Sequence, residues 1–166
     1  AADVIVVNLH IYGLHIASGG SLLPEHEVVI FDEAHQLESV MSDTVGVQLG
    51  SGRFTSLASA VRKVIADPTV TSALESQGVR LTQSLTPMSG QRLSNPMPTS
   101  VTEPLALARI EINAILGALR GITTDNESTQ QKSYRAQTQA TRLAEALDIA
   151  LGTIQGYVAY VEGSPD

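Results

Sequence analysis

Val28-Val29-Ile30-Phe31-Asp32-Glu33-Ala34-His35 runs four apolar residues straight into two acids and a histidine. A continuous β-branched apolar run reads as a strand buried on both faces. Buried carboxylates are costly unless paired or bound to a metal, so the acids are expected where such a strand leaves its sheet. In open α/β sheets that carboxyl end is where ligands bind. There Asp32 is placed to hold Mg²⁺ on a nucleotide, and Glu33 to orient an attacking water. The stretch has the form of a Walker-B motif of the DEAH type. The plainer reading of the same residues is a strand ending in solvated acids.

The 166 residues as a whole are of ordinary globular composition, 43% hydrophobic, enough for a real core. There is no apolar run of membrane-spanning length and no signal-peptide pattern, so a soluble, cytoplasmic protein with no membrane partner is expected. The absence of cysteine excludes disulfides and thiolate metal sites within the span. The opening Ala1-Ala2-Asp3, without methionine, reads as the start of an excised fragment. The net charge of −7 is unevenly spread. Residues 1–51 hold seven acids and no Lys or Arg, and every basic residue lies from Arg53 onward. Such an acidic piece would repel nucleotide phosphates unless basic groups came from elsewhere, which fits a partial site.

Asp3–Asn8 is a second β-branched run. Leu9–Ala17 has apolar residues compatible with a short helix, and Ser18-Gly19-Gly20-Ser21 is a turn. Strand, helix and strand within about thirty residues predict a parallel βαβ unit. A short helix is expected over residues 36–41. Beyond residue 44 the pattern turns helical. The spacing predicts a helix from Ser51 or Ser56 to about Ala66, with Leu57, Val61, Val64 and Ile65 on one face. A weaker helix over 70–85 contains Gly78. Residues 86–100, with Pro87, Gly90, Pro96 and Pro98, read as a long loop. Thr102-Glu103-Pro104 opens a strong helix to Arg120. A last helix is expected over about 130–161, with Leu143, Leu147, Ile154, Val158 and Val161 inward. The expected fold is mixed α/β, mainly α: a short parallel βαβ piece followed by a bundle of about four helices.

Ala2-Asp3-Val4-Ile5-Val6-Val7-Asn8, followed by Val29-Ile30-Phe31-Asp32-Glu33-Ala34-His35-Gln36-Leu37-Glu38, resembles the DinG/XPD-like branch of superfamily 2 DNA helicases. Tyr157–Glu162 is similar to the segment by which that family's chain returns to its motor domain. The resemblance implies a partial RecA-like ATPase domain over 1–43, a helical Arch insertion over 44–162, and the start of the return at 163–166. It implies that Asp32 coordinates the Mg²⁺ of Mg-ATP, that Glu33 activates or positions water, and that His35 couples the nucleotide site to DNA. It also implies a role in DNA repair, single-stranded DNA as partner, and a 4Fe–4S cluster in the parent protein outside this chain. One departure is Asn8-Leu9-His10, where many relatives carry consecutive histidines.

No G-x-x-x-x-G-K-[ST] occurs, and Lys63 and Lys132 are the only lysines, so the isolated chain is expected to lack ATPase activity without the rest of the motor. Nucleic-acid contact is marked only by scattered basic residues, with the adjacent Arg62 and Lys63 as candidates. His10 and His15 stand about 140° apart on a helix and share no face for a metal. Bare strand edges over residues 2–32 predict dimerisation or strand swapping of the fragment. Two other readings are a non-catalytic helical interaction module and an RNA helicase or nuclease-linked relative.

Overall fold

The computed structural model describes residues 3–152 and 158–163. The chain divides into two compact units, Ala1–Gln48 and Leu49–Asp166.

In the first unit, Asn8 ends an extended segment and caps helix α1 (Leu9–Ala17), its Oδ1 accepting from the Ile11 amide at 2.8 Å. Helix α2 (Leu37–Val45) packs on α1. The two helices meet at a residue without a side chain. A Cβ at Gly13 would lie 2.9 Å from both Cβ and Cγ2 of Thr44, so only glycine allows this approach.

The parallel βαβ unit is not formed. The described residues contain no β-strand, and the fold is all-helical rather than mixed α/β. Val4–Val7 and Val28–Phe31 run outside any helix and do not pair with each other. A strand covered on both faces needs a helical layer on each side and hydrogen-bonded neighbours at its edges. Within this unit only α1 and α2 are available, and Val4, Val6, Val28 and Ile30 remain 75–91% exposed. Phe31 turns instead toward α1, where its ring meets Tyr12 edge-on at 5.4 Å.

The second unit is built from four helices: α3 (Ser51–Arg62), α4 (Thr69–Leu85), α5 (Thr99–Arg120) and α6 (Glu127–Leu151). Helix α3 packs on α4 and α6, and α5 on the same two, closing a four-membered ring. Phe54, Leu57 and Val61 of α3, Leu74 and Leu81 of α4, Leu105, Ile112, Ile115 and Leu119 of α5, and Leu143 and Leu147 of α6 form one continuous core. Among the described residues no buried side-chain polar atom lacks a hydrogen-bond partner.

Side-chain bonds mark the starts of α4 and α6, and α3 and α5 begin without a side-chain cap. Asp67 Oδ1 accepts from the Thr69 hydroxyl at 2.7 Å and the Thr69 amide at 2.9 Å ahead of α4. These bonds, the hydroxyl first and the amide second, hold the Asp67 carboxyl below the usual carboxylate range. Asn126 Oδ1 accepts from the Thr129 amide at 3.1 Å and starts α6 at Glu127, ahead of the expected 130. Helix α5 starts at Thr99 rather than Thr102, so Pro104 lies inside it and is buried. Gly78 sits well inside α4 because it is a contact point. Its Cα faces Phe54 so closely that an added Cβ would be 3.3 Å from the Phe54 Cβ.

The 86–100 loop is not free. After a 3₁₀ turn at Thr86–Met88 it runs antiparallel to residues 159–161. Three backbone bonds hold it there: the Gly90 amide to the Val161 carbonyl (2.8 Å), Leu93 to Ala159 (2.9 Å) and Val161 to Gln91 (2.9 Å). Helix α6 stops at Leu151, with Gly152 as its C-cap, so Val158 and Val161 lie outside it. Ile154 and Tyr157 lie outside the described residues.

Candidate functional site

Asp32, Glu33 and His35 stand on the turn that leads from the extended Val28–Phe31 segment into α2. Asp32 Oδ1 accepts from the Glu33 amide at 2.9 Å, an Asx arrangement that bends the chain. Glu33 adopts φ 52°, ψ 44° and is the one non-glycine residue with positive φ among the described residues. That left-handed conformation costs an L-residue about 1–2 kcal/mol. It is held by the following 3₁₀ turn, Ala34–Gln36, in which the Gln36 amide donates to the Glu33 carbonyl at 2.9 Å.

The turn brings the Glu33 carboxylate onto the imidazole two residues later. Glu33 Oε2 and His35 Nδ1 are 3.1 Å apart, with both side chains about two-thirds or more exposed. An exposed pair of this kind adds little stability, so its consequence is orientation of the carboxylate. All three residues of the DEAH candidate are therefore gathered on one exposed turn. The Asp32 carboxylate spends one oxygen on the chain and is exposed. One such hard oxygen donor suits Mg²⁺ carried chiefly by nucleotide phosphates, but it does not make a metal cage. No group of three or more His, Asp or Glu side chains among the described residues could hold a metal by itself. With no cysteine, the chain cannot ligate a 4Fe–4S cluster.

His15 and His26 form part of a ring cluster with Tyr12. The buried His15 accepts the Leu23 amide on Nδ1 at 3.0 Å and thereby pins the returning chain against α1. That is a structural use of the imidazole.

The basic candidates do not form a shared surface patch: one is paired and the other ends a helix. Arg62 makes a two-pronged contact with Glu75 on α4, Nη1 to Oε2 at 3.0 Å and Nη2 to Oε1. That hydrogen bonding raises the guanidinium pKa above its usual value. Lys63 is the C-cap of α3, a position where positive charge suits the helix dipole. A different basic surface went unread in the sequence: Arg135 and Arg142 share a face of α6 with Tyr134 and look across to the start of α3. Their recurrence at helical spacing, with no acid between them on that face, is the signal that could have revealed it.

Over 91 residues, half of this chain, the sequence is 41% identical to a stretch of the ATP-dependent DNA helicase YoaA of Escherichia coli K12. Over 54 residues it is 48% identical to YoaA of Haemophilus influenzae, and over 84 residues 26% identical to the ATP-dependent helicase DinG of Mycobacterium tuberculosis. The chain is a relative of the YoaA and DinG helicases. This bears out the DinG/XPD-like relationship carried by the motif. The matched stretches cover 30% to 51% of this chain and only 14%, 8% and 12% of those three proteins. No protein-family model matches, and no solved structure matches significantly. Among the described residues no helix is long and apolar enough to cross a membrane.

Proposed function

We propose that this chain supplies the hydrolytic acids and a helical Arch-like insertion of a cytoplasmic ATP-dependent DNA helicase. The larger protein would act in DNA repair, coupling ATP hydrolysis to movement along single-stranded DNA. The observation that carries the reading is the Asp32–His35 turn, in a relative of two named helicases, with Glu33 held in a strained conformation and its carboxylate aimed by His35. In this reading residues 1–43 belong to the ATPase domain, 44–162 to the insertion and 163–166 to the return into the motor.

Asp32 offers its exposed oxygen to Mg²⁺ of Mg-ATP. The ion, when bound with the nucleotide, neutralises charge on the phosphates. Glu33 orients the attacking water and accepts its proton, and His35 fixes the carboxylate while it does so. His35 also links this turn to the DNA-bound parts of the motor. The phosphate loop and an arginine are contributed by the rest of the motor, and the 4Fe–4S cluster by cysteines elsewhere in the parent protein. The 166-residue chain by itself hydrolyses no ATP, because it carries no phosphate-loop lysine motif. The exposed apolar segments Val4–Val6 and Val28–Ile30 give the isolated chain a tendency to dimerise, which sedimentation at increasing concentration would detect.

The deciding experiment is ATP hydrolysis by the full-length parent with and without single-stranded DNA, beside its Glu33→Gln form. DNA-stimulated hydrolysis lost in Glu33→Gln is the expected result. Hydrolysis at the same rate in both forms would refute the assignment of Glu33, and none in either would refute the helicase reading.

A further inference from the structure

The groove between α3 and α6 has a chemistry that the DEAH turn does not use. Its cavity of about 410 Å³ is lined by Arg53, Arg135 and Arg142, with Tyr134 at its edge, and by no Asp or Glu. A wall of three arginines without a carboxylate is unusual in a chain of net charge −7. Elsewhere in the helical unit, one arginine each on α3, α4 and α5 is matched to an acid, Arg62 to Glu75, Arg80 to Glu103 and Arg109 to Asp148, while Arg120 stands at the end of α5. Arg135 and Arg142 have no such acid among the described residues. Arg53 is already engaged within the chain, so the argument rests on the α6 pair.

A hydrogen bond bridges the walls of the groove. Gln139 Nε2 donates to Ser56 Oγ at 2.8 Å, tying the middle of α6 to the first turns of α3. On α6, Arg135 and Arg142 are seven residues apart, about 10 Å along the axis at 1.5 Å per residue. That spacing suits charge distributed along a ligand and corresponds to about three nucleotides of a stacked strand at roughly 3.4 Å each. Tyr134, on the same face, is 72% exposed. An exposed tyrosine beside guanidiniums offers a flat surface for a base.

We propose that the α3–α6 groove binds a single-stranded nucleic acid, with Arg135 and Arg142 on successive stretches of phosphate and Tyr134 stacked on a base. This deepens the helicase reading above and rests on it for the identity of the strand. Binding to the groove requires no ATP. No strand binding by the chain beside DNA-stimulated hydrolysis by the full-length parent would refute this inference alone, and strand binding beside a parent that hydrolyses no ATP would refute the helicase reading alone.

The test is fluorescence anisotropy of the 166-residue chain with a labelled oligothymidylate of about fifteen nucleotides, within the range one binding module covers. The chain is expected to bind at low salt. Replacing both Arg135 and Arg142 by Ala is expected to weaken binding more than tenfold and flatten the log–log salt slope by about 1.4. Tyr134→Ala is expected to weaken binding about 5- to 100-fold, with Tyr134→Phe restoring it. Arg120→Ala, the loss of a single charge on α5 outside the groove, serves as control and leaves affinity within twofold. Melting curves of each variant separate lost binding from lost fold. No binding by the intact chain, or equal binding by the double-arginine variant, overturns the proposal. Displacement of the strand by polyglutamate as effectively as by unlabelled oligothymidylate also overturns it, in favour of an acidic protein segment.

Discussion

Glycine-to-alanine substitution should change stability with opposite signs in two helices of the same bundle. Gly117 lies in α5 on the exposed side, and a Cβ there would meet no atom within 4 Å. Alanine at that position gains helix propensity, about 0.8–1 kcal/mol, with no packing penalty. Gly78 in α4 gains the same propensity term but places its methyl 3.3 Å from the Phe54 Cβ and 3.5 Å from its Cγ. The Phe54 Cβ is fixed to the backbone of α3 and fully buried, so it cannot swing away, and relief requires α3 and α4 to separate. Overpacking of this kind costs about 1–3 kcal/mol, which leaves Gly78→Ala destabilising by about 1 kcal/mol. For a unit of this size that is a fall in Tm of about 4 °C, against a rise of about 4 °C for Gly117→Ala. Thermal denaturation by far-UV circular dichroism on the two single variants reads both. A Tm that rises in Gly78→Ala as it does in Gly117→Ala would refute the close α3–α4 approach.

Other outcomes follow from the same packing and capping. Ile112→Ala, at a fully buried position on α5, should cost about 2–5 kcal/mol in urea denaturation, with an unchanged denaturant slope. Gly13→Ala should drive α1 from α2 through Thr44, and hydrogen exchange should accelerate in α1 while α4 and α5 amides stay protected. Because the Asp67 carboxyl is held below its usual range in the folded chain, its stabilising effect is present above the unfolded pKa and is lost as pH falls through the folded one. An Asp67→Asn variant should therefore lose less stability than the parent chain on acidification below about pH 4, as melting curves at stepped pH would show. A steeper acid loss in Asp67→Asn would contradict the role of the Asp67–Thr69 bonds.

The helical unit was legible where apolar residues recur at helical spacing. In α5 the stripe through Leu105, Ala108, Ile112, Ile115 and Leu119 is the buried face. Ends were less legible because caps act locally: Asn126 starts α6 early, and Gly152 stops it well before the expected 161. The first unit was misread for a different reason. Val4–Val7 and Val28–Phe31 have strand composition, but a sheet is a property of neighbours, and no strand partner is present among the described residues. The DEAH turn was legible as a motif, while the left-handed backbone of Glu33 was not, since glutamate carries no preference for it. The arginine groove was hidden because charges counted along the chain look scattered. Wound around α6, Arg135 and Arg142 fall into line.

The pairing of residues 90–93 with 159–161 has a consequence for the order in which the protein assembles. Three of the four helix contacts join neighbours in the chain and the long-range one, α3 on α6, is backed by the buried core, whereas the clasp, with its Gln91–Val161 bond, joins points about seventy positions apart through the backbone alone. Closing so wide a loop for three backbone bonds is entropically unfavourable until the helices between have already drawn the ends together. The clasp is therefore the last contact to form and the first to open. Amides at Gly90, Leu93 and Val161 report on that opening before the bundle beneath them yields.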